Sequence, residues 1–172
     1  MAVFLTSMLV AATAFAQRGG SFRIACTATD NGQPASGSVS VVSNGREVAT
    51  GTTGAPISVP RGEYDVVVTL DGAVDRPSVT QHVVTGARNE ANVAAEFHTA
   101  ILEVAAEAGG QRVAAMATIM SNGQRVGSLG AGVPCHLSAG TYDIVVRYRG
   151  TERRFDGVSL SQGERRSLTA SF

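Results

Sequence analysis

The chain has 172 residues, 44% of them hydrophobic, and its fourteen basic and fourteen acidic residues cancel to zero net charge. Every basic residue is Arg; without Lys, Schiff-base chemistry, P-loop phosphate binding and Lys–Asn isopeptide cross-links are excluded. The balanced charge disfavours nucleic acid as a partner, because such domains concentrate basic residues.

The first element is a leader. Ala2 to Ala16 is apolar apart from Thr6, Ser7 and Thr13, and it ends in Ala14-Phe15-Ala16 before Gln17. An apolar run with an A-x-A end reads as a secretory signal, too short for a span. No Arg or Lys precedes it, so either the amino group supplies its only charge or the true start lies upstream. The expectation is a signal-peptide helix over 1–16, cleavage after Ala16, and a mature protein in the periplasm or at the cell surface. An uncleaved anchor is the alternative. The segment 17–23 separates the run from Cys26, which argues against lipid attachment there.

Beyond the leader, one pattern occurs twice. Ser43-Asn44-Gly45 returns as Ser121-Asn122-Gly123, and Gly62-Glu63-Tyr64-Asp65 returns as Gly140-Thr141-Tyr142-Asp143, each shifted by 78 residues. About 155 residues remain after the leader, and the repeat divides them into units 17–97 and 98–172. A domain of ~75 residues buries only about 60% of its unfolded surface, so each unit is modest in stability.

In the first copy, Ser21 to Thr29 alternates apolar Phe22, Ile24 and Cys26 with polar residues, a strand pattern. Asp30 to Pro34 reads as a loop. Val39, Val41 and Val42 lead into Asn44-Gly45, a two-residue hairpin signal, and Arg46 to Thr50 returns. Gly51 to Gly54 is expected to break the chain. Pro56 to Val59 is a short strand, and Pro60-Arg61-Gly62 a tight turn. Tyr64, Val66, Val68 and Leu70 share the core face of the next strand, with Asp65 and Asp71 opposite. Pro77 to Val84 and Ala91 to Phe97 complete seven strands, with turns every 8–12 residues.

The second copy repeats this order. Ile101, Leu102 and Val104 open it, and Val113 to Met120 is read as a strand despite its Ala and Met. Tyr142, Ile144, Val146 and Tyr148 form the core face; Phe155, Val158 and Leu160 come next, and Leu168, Ala170 and Phe172 close the chain. The join Phe97-His98-Thr99-Ala100 has no Gly or Pro, so it reads as short and stiff. The fold expected is all-β, two tandem small Ig-like or prealbumin-like β-sandwiches preceded by the signal-peptide helix.

Asn-Gly-x-x-Val, then Gly-x-Tyr-Asp, then Gly163-Glu164-Arg165-Arg166-Ser167-Leu168-Thr169-Ala170-Ser171-Phe172 carry a resemblance. The pattern resembles bacterial carboxypeptidase-regulatory-like or PEGA-like repeats, and is similar to repeats beside von Willebrand A domains in bacterial surface proteins. The resemblance covers about 21–172 and implies a prealbumin- or Ig-like sandwich serving as a spacer, adhesion or assembly module. It names no activity, and no von Willebrand A domain is present.

Few residues offer chemistry. Cys26 aligns with Val104, and Cys135 with Ile57, so each thiol replaces an apolar core residue. Buried free thiols, an inter-domain disulfide and a cross-link between chains all remain open, since geometry decides among them. His82, His98 and His136 have no ligand spacing among themselves or with the cysteines, so no metal is expected. Gly157-Val158-Ser159-Leu160-Ser161 lacks the last Gly of a nucleophile elbow and a following helix. No catalytic residue and no cofactor are expected. The one asymmetric feature is Arg147, Arg149, Arg153 and Arg154, which bracket Gly150-Thr151-Glu152 where the first copy has Asp71-Gly72-Ala73-Val74-Asp75-Arg76. Arg forks suit phosphate, sulfate or carboxylate. The sequence therefore offers two functions. The first is an exported structural, adhesion or assembly module acting on a protein partner or on copies of itself. The alternative is a module that takes an anionic polysaccharide or lipid on this hairpin.

Overall fold

The structure, a computed structural model, describes residues 21–86 and 88–172. The expected signal peptide, 1–16, lies outside the described residues.

Sixteen strands make up the described chain: β1 Phe22–Asp30, β2 Gln33–Ala35, β3 Gly37–Ser43, β4 Arg46–Thr52, β5 Ile57–Val59, β6 Glu63–Leu70, β7 Ser78–Val84, β8 Glu90–Phe97, β9 Thr99–Ala108, β10 Gln111–Arg112, β11 Met116–Ser121, β12 Gln124–Gly130, β13 Cys135–Ser138, β14 Gly140–Tyr148, β15 Thr151–Leu160 and β16 Arg165–Ser171. They form two sandwiches in tandem. In each, one sheet is built on its first strand: β1 takes β8 in parallel on one side and β2 and β5 antiparallel on the other. β9 likewise takes β16, β10 and β13. The facing sheets run β4-β3-β6-β7 and β12-β11-β14-β15.

Period two drives the layering. Phe22, Ile24, Cys26 and Ala28 of β1 are all buried, and so are Tyr64, Val66, Val68 and Leu70 of β6. Burying a Val or Ile side chain contributes about 1.5–3 kcal/mol, so each alternating strand fixes its own face. One core runs from Phe22 to Phe97 and the other from Ala100 to Ala170. Only His98 stands between β8 and β9.

The Gly-x-Tyr motif has a packing reason. The Tyr64 hydroxyl donates to the Pro60 carbonyl at 2.7 Å, and the Tyr142 hydroxyl to the Ser138 carbonyl at 2.9 Å, four residues back in both cases. This is the tyrosine corner that sandwiches use to pin a strand entry. The ring folds back over the Gly two residues before it: a Cβ on Gly62 would lie 3.2 Å from the Tyr64 hydroxyl.

Several sequence expectations need correction. The stretch Asp30–Pro34 is a hairpin, because Asn31-Gly32 adopts positive φ (52° and 76°) and returns β2 onto β1. Each copy thus has eight strands, not seven. β4 continues through Gly51 and Thr52; Gly51 is there for packing, since a Cβ would lie 2.7 Å from Ile57 Cγ1. β11 begins only at Met116. Tyr148 is half-buried, outside the core proper, with its ring 5.5 Å from that of Phe172.

The copies stay in register until their second half. Ile24 faces Ile57 as Leu102 faces Cys135, with both members shifted by 78 residues (24 to 102, 57 to 135). Tyr64 faces Val83, but Tyr142 faces Val158, a shift of only 75 (83 to 158). The difference lies between the paired residues Thr69 and Ser78, whose connection is 70–77, and Arg147 and Glu152, whose connection is 148–151. The first copy therefore carries four extra residues there, and a bulge in β15 returns one.

Candidate functional site

The extra residues form the joint between the sandwiches. The loop 71–77 reaches into the second sandwich, where the Val74 amide donates to the His136 carbonyl at 2.9 Å and Ala73 bridges β13 at His136. Val74 fills a notch over Gly127 of β12: a Cβ on that Gly would lie 2.0 Å from Val74 Cγ1. Beside it, the Asp75 carboxylate accepts the Ser138 amide at 3.1 Å and the Tyr142 hydroxyl at 3.1 Å. The Tyr142 hydroxyl has one proton for two acceptors, so the Asp75 bond and its corner bond share it. Burial first, then the Asp75 charge, pushes the Tyr142 phenol well above its ordinary value.

A second contact lies next to it, at Thr99, which pairs with Ser138. Asp30, at the end of β1, accepts the Thr99 amide at 3.0 Å and the Thr99 hydroxyl at 2.5 Å. The Asn31 side-chain amide donates to the Thr99 carbonyl at 3.0 Å. Thr99 is only 1% exposed, so its polar atoms depend on these partners. Two carboxylates of the first sandwich thus hold backbone and hydroxyl donors of the second. Charge-assisted bonds of this kind are the stronger ones.

The surface that receives the loop has no working equivalent in the first sandwich. Ser138 corresponds to Pro60, which has no amide proton to donate, and Gly127 to Ala49, which carries a methyl packed against the first core. The joint fits one pairing order and is not repeated.

The four arginines are not brought together. Arg147 and Arg154 lie on the outer face of their sheet. Arg147 donates to Glu152 at 2.5 Å, and Arg154 to Asp156 and, at 3.2 Å, to Asp143. Arg149, at positive φ (45°) in the two-residue turn with Gly150, lies 5.3 Å from the Tyr148 ring. Arg153 donates to the Ser171 carbonyl at 2.8 Å and lies 5.6 Å from the Phe172 ring. Each guanidinium has a neighbour of its own, and Arg147 and Arg154 line, with Arg125 and Glu152, an open cleft of about 360 Å³ on the outer face. An open cleft of about 580 Å³ beside Arg147, Tyr148 and Arg149 is lined mainly by Ala114, Ala115, Met116 and Ala131.

Cys26 and Cys135 are both free and buried, one in each core. Burial raises both thiols above their ordinary value, with the Asp75 charge adding to the effect at Cys135. Of the histidines, His82 Nδ1 lies 2.9 Å from Asp65 on the exposed face of the first sandwich, and His136 Nδ1 lies 3.4 Å from the Thr99 hydroxyl. Among the described residues no group of three His, Cys, Asp or Glu converges as a metal site needs. None forms a helix long and apolar enough to cross a membrane.

No family model and no curated protein matches this sequence. Solved structures with a similar outline include the Bacillus anthracis TIE protein, 16% identical, over 88% of this chain and 33% of that one, with a TM-score of 0.40. A candidate adhesin from Bacteroides ovatus is 8% identical over 88% of this chain and 87% of its own, with a TM-score of 0.46. A variant of the shaft pilin of Lactobacillus rhamnosus GG is 8% identical over 88% of this chain and 98% of its own, with a TM-score of 0.31. This chain spans a third of the TIE protein. These likenesses are distant, and none places the chain in a family.

Proposed function

We propose that the chain is an exported, non-catalytic structural module of the bacterial cell envelope, built as two units, 17–97 and 98–172, and acting through protein–protein contacts. The observation that carries this reading is the joint. Loop 71–77 and the Asp30–Thr99 contact hold the two sandwiches in one arrangement, which suits a spacer or assembly piece that must keep its binding surfaces at a set separation. The leader 1–16 is what directs the chain out of the cytoplasm.

Export is tested by N-terminal sequencing of the protein recovered from fractionated cells. A chain starting at Gln17 in the envelope or the medium is expected. A chain that keeps its leader in the cytoplasm would overturn the reading.

A further inference from the structure

The sheet edges are guarded unequally. A free edge offers unpaired amides and carbonyls to another strand, and proteins blunt it with charges, Pro, bulges or short strands. β4 carries Arg46 and Glu47 and is paired to β3 through a register shift; β12 carries Arg125 and is paired to β11 the same way. β15 carries Glu152, Arg153, Arg154 and Asp156 and a shift of its own. β8 has Glu90 and Glu96, and β16 has Arg165 and Arg166. The guarding of β15 and β16 goes further, since Arg153 bonds the Ser171 carbonyl and Arg166 the Ser159 carbonyl.

β7 is different. Among the described edge strands longer than four residues, it alone has no Asp, Glu or Arg. Its seven residues, Ser78-Val79-Thr80-Gln81-His82-Val83-Val84, pair with β6 without a register shift and contain no Gly or Pro. Val84, at its end, is 58% exposed. The ladder sets its orientation. The Pro77 carbonyl accepts from Leu70, and the Thr85 amide donates to Gly62, so odd-numbered residues bond inward to β6. Antiparallel alternation then turns the amides and carbonyls of Ser78, Thr80, His82 and Val84 outward.

We infer that β7 is the contact surface of this module and that its partner is β7 of a second copy, paired antiparallel about a two-fold axis at Gln81. The inference rests on the reading of the chain as a module acting through protein contacts. It is argued from self-complementarity. In that register Ser78 faces Val84, Val79 faces Val83 and Thr80 faces His82, so every outward-turned amide meets an outward-turned carbonyl of the partner. No like charges are opposed, and an isologous contact of this sort closes as a dimer. Two four-stranded sheets thereby become one of eight strands. Residues opposite one another outside the hydrogen-bonded pairs approach to about 4.5 Å between Cα atoms, which brings Gln81 side by side with its own copy.

The axis makes the test specific. The mass of the purified protein is measured by sedimentation over a wide concentration range. Wild type is expected to pass from one chain to two as concentration rises. Gln81→Lys alone and Gln81→Glu alone are each expected to weaken dimerisation at least tenfold, because like charges then face each other across the axis. An equimolar mixture of the two is expected to restore a dimer holding one chain of each. Thr80→Pro, which removes only an outward amide, is expected to abolish the dimer; its unfolding transition reports whether the sandwich is intact. A wild-type protein that stays at one chain would overturn the inference and leave the module to a different protein partner. Dimers untouched by Gln81→Lys and Thr80→Pro would overturn the β7 assignment while leaving self-association in place. Neither outcome bears on export, which the N-terminal sequence decides separately.

Discussion

Asp75→Ala is the sharpest probe of the joint. The substitution removes the acceptor of the Ser138 amide and one of two acceptors of the Tyr142 hydroxyl. The hydroxyl keeps the Ser138 carbonyl at 2.9 Å, so its loss is small. The Ser138 amide keeps nothing, and a half-buried donor without a partner costs about 1–3 kcal/mol. Bonds to a carboxylate are worth about 1.5–3 kcal/mol, and at 3.1 Å these fall at the lower end. The two figures describe the same event and agree on a loss of about 2 kcal/mol for the closed joint. At roughly 1.4 kcal/mol per tenfold, the open population rises about 30-fold. Amide hydrogen exchange reads this directly. The Val74 and Ser138 amides are expected to exchange about 30-fold faster, while amides of β3 in the first core keep their rates. Unchanged exchange at Val74 and Ser138, or equal acceleration throughout both cores, would refute the reasoning.

The same contacts lead to three more outcomes. Gly127→Ala puts a methyl where Val74 sits, so it should expel the loop at a cost of about 1–3 kcal/mol in denaturant unfolding, with the corresponding Ala49→Gly nearly silent at the joint. Stability should hold at neutral pH and fall as pH rises through the ordinary thiol value of about 8.5 and then the ordinary tyrosine value of about 10. The folded Cys26 and Cys135 thiols and the Tyr142 phenol are all raised, so the unfolded chain loses these protons first and alkali favours unfolding; Tyr142→Phe should lessen the slope above about pH 10 and leave the thiol part, and an unaltered slope there would contradict it. Both thiols should resist an aromatic disulfide reagent in the native state and react fully in denaturant, and rapid native labelling of either would place it at the surface.

Much of the fold is readable in the sequence because its signals are local. The alternation of Tyr64, Val66, Val68 and Leu70 fixes a face without reference to any other strand. Asn44-Gly45 and Asn122-Gly123 need only their own backbone to make a turn, and their φ values of 51° and 72°, 50° and 75° agree. The same dipeptide at Asn31-Gly32 reads as a loop because Pro34 comes two residues later, although Pro is tolerated on the short edge strand β2. Gly51 reads as a breaker because a strand Gly and a turn Gly look alike until the neighbour above it, here Ile57, is known.

The joint is not readable in this way. Asp75 meets partners 63 and 67 positions further along the chain, and such contacts depend on how two sandwiches meet, which no period encodes. Two traces are nevertheless present: the unequal connections after Tyr64 and Tyr142, and the replacement of Pro60 and Ala49 by Ser138 and Gly127. The arginines show how far strand position alone carries. Strand position correctly puts Arg147, Arg149, Arg153 and Arg154 around one hairpin, but alternation sends Arg147 and Arg154 to the outer face, while Arg149 and Arg153 turn to the rings of Tyr148 and Phe172.

The fixed joint is tested most directly by residual dipolar couplings of backbone amides in a weakly aligned sample of the purified protein. One alignment tensor fitting the amides of both sandwiches is expected, with Asp75→Ala moving the two apart. Two tensors of different magnitude in the wild-type chain would mean that the sandwiches move independently, and would contradict the joint as the basis of the protein's role.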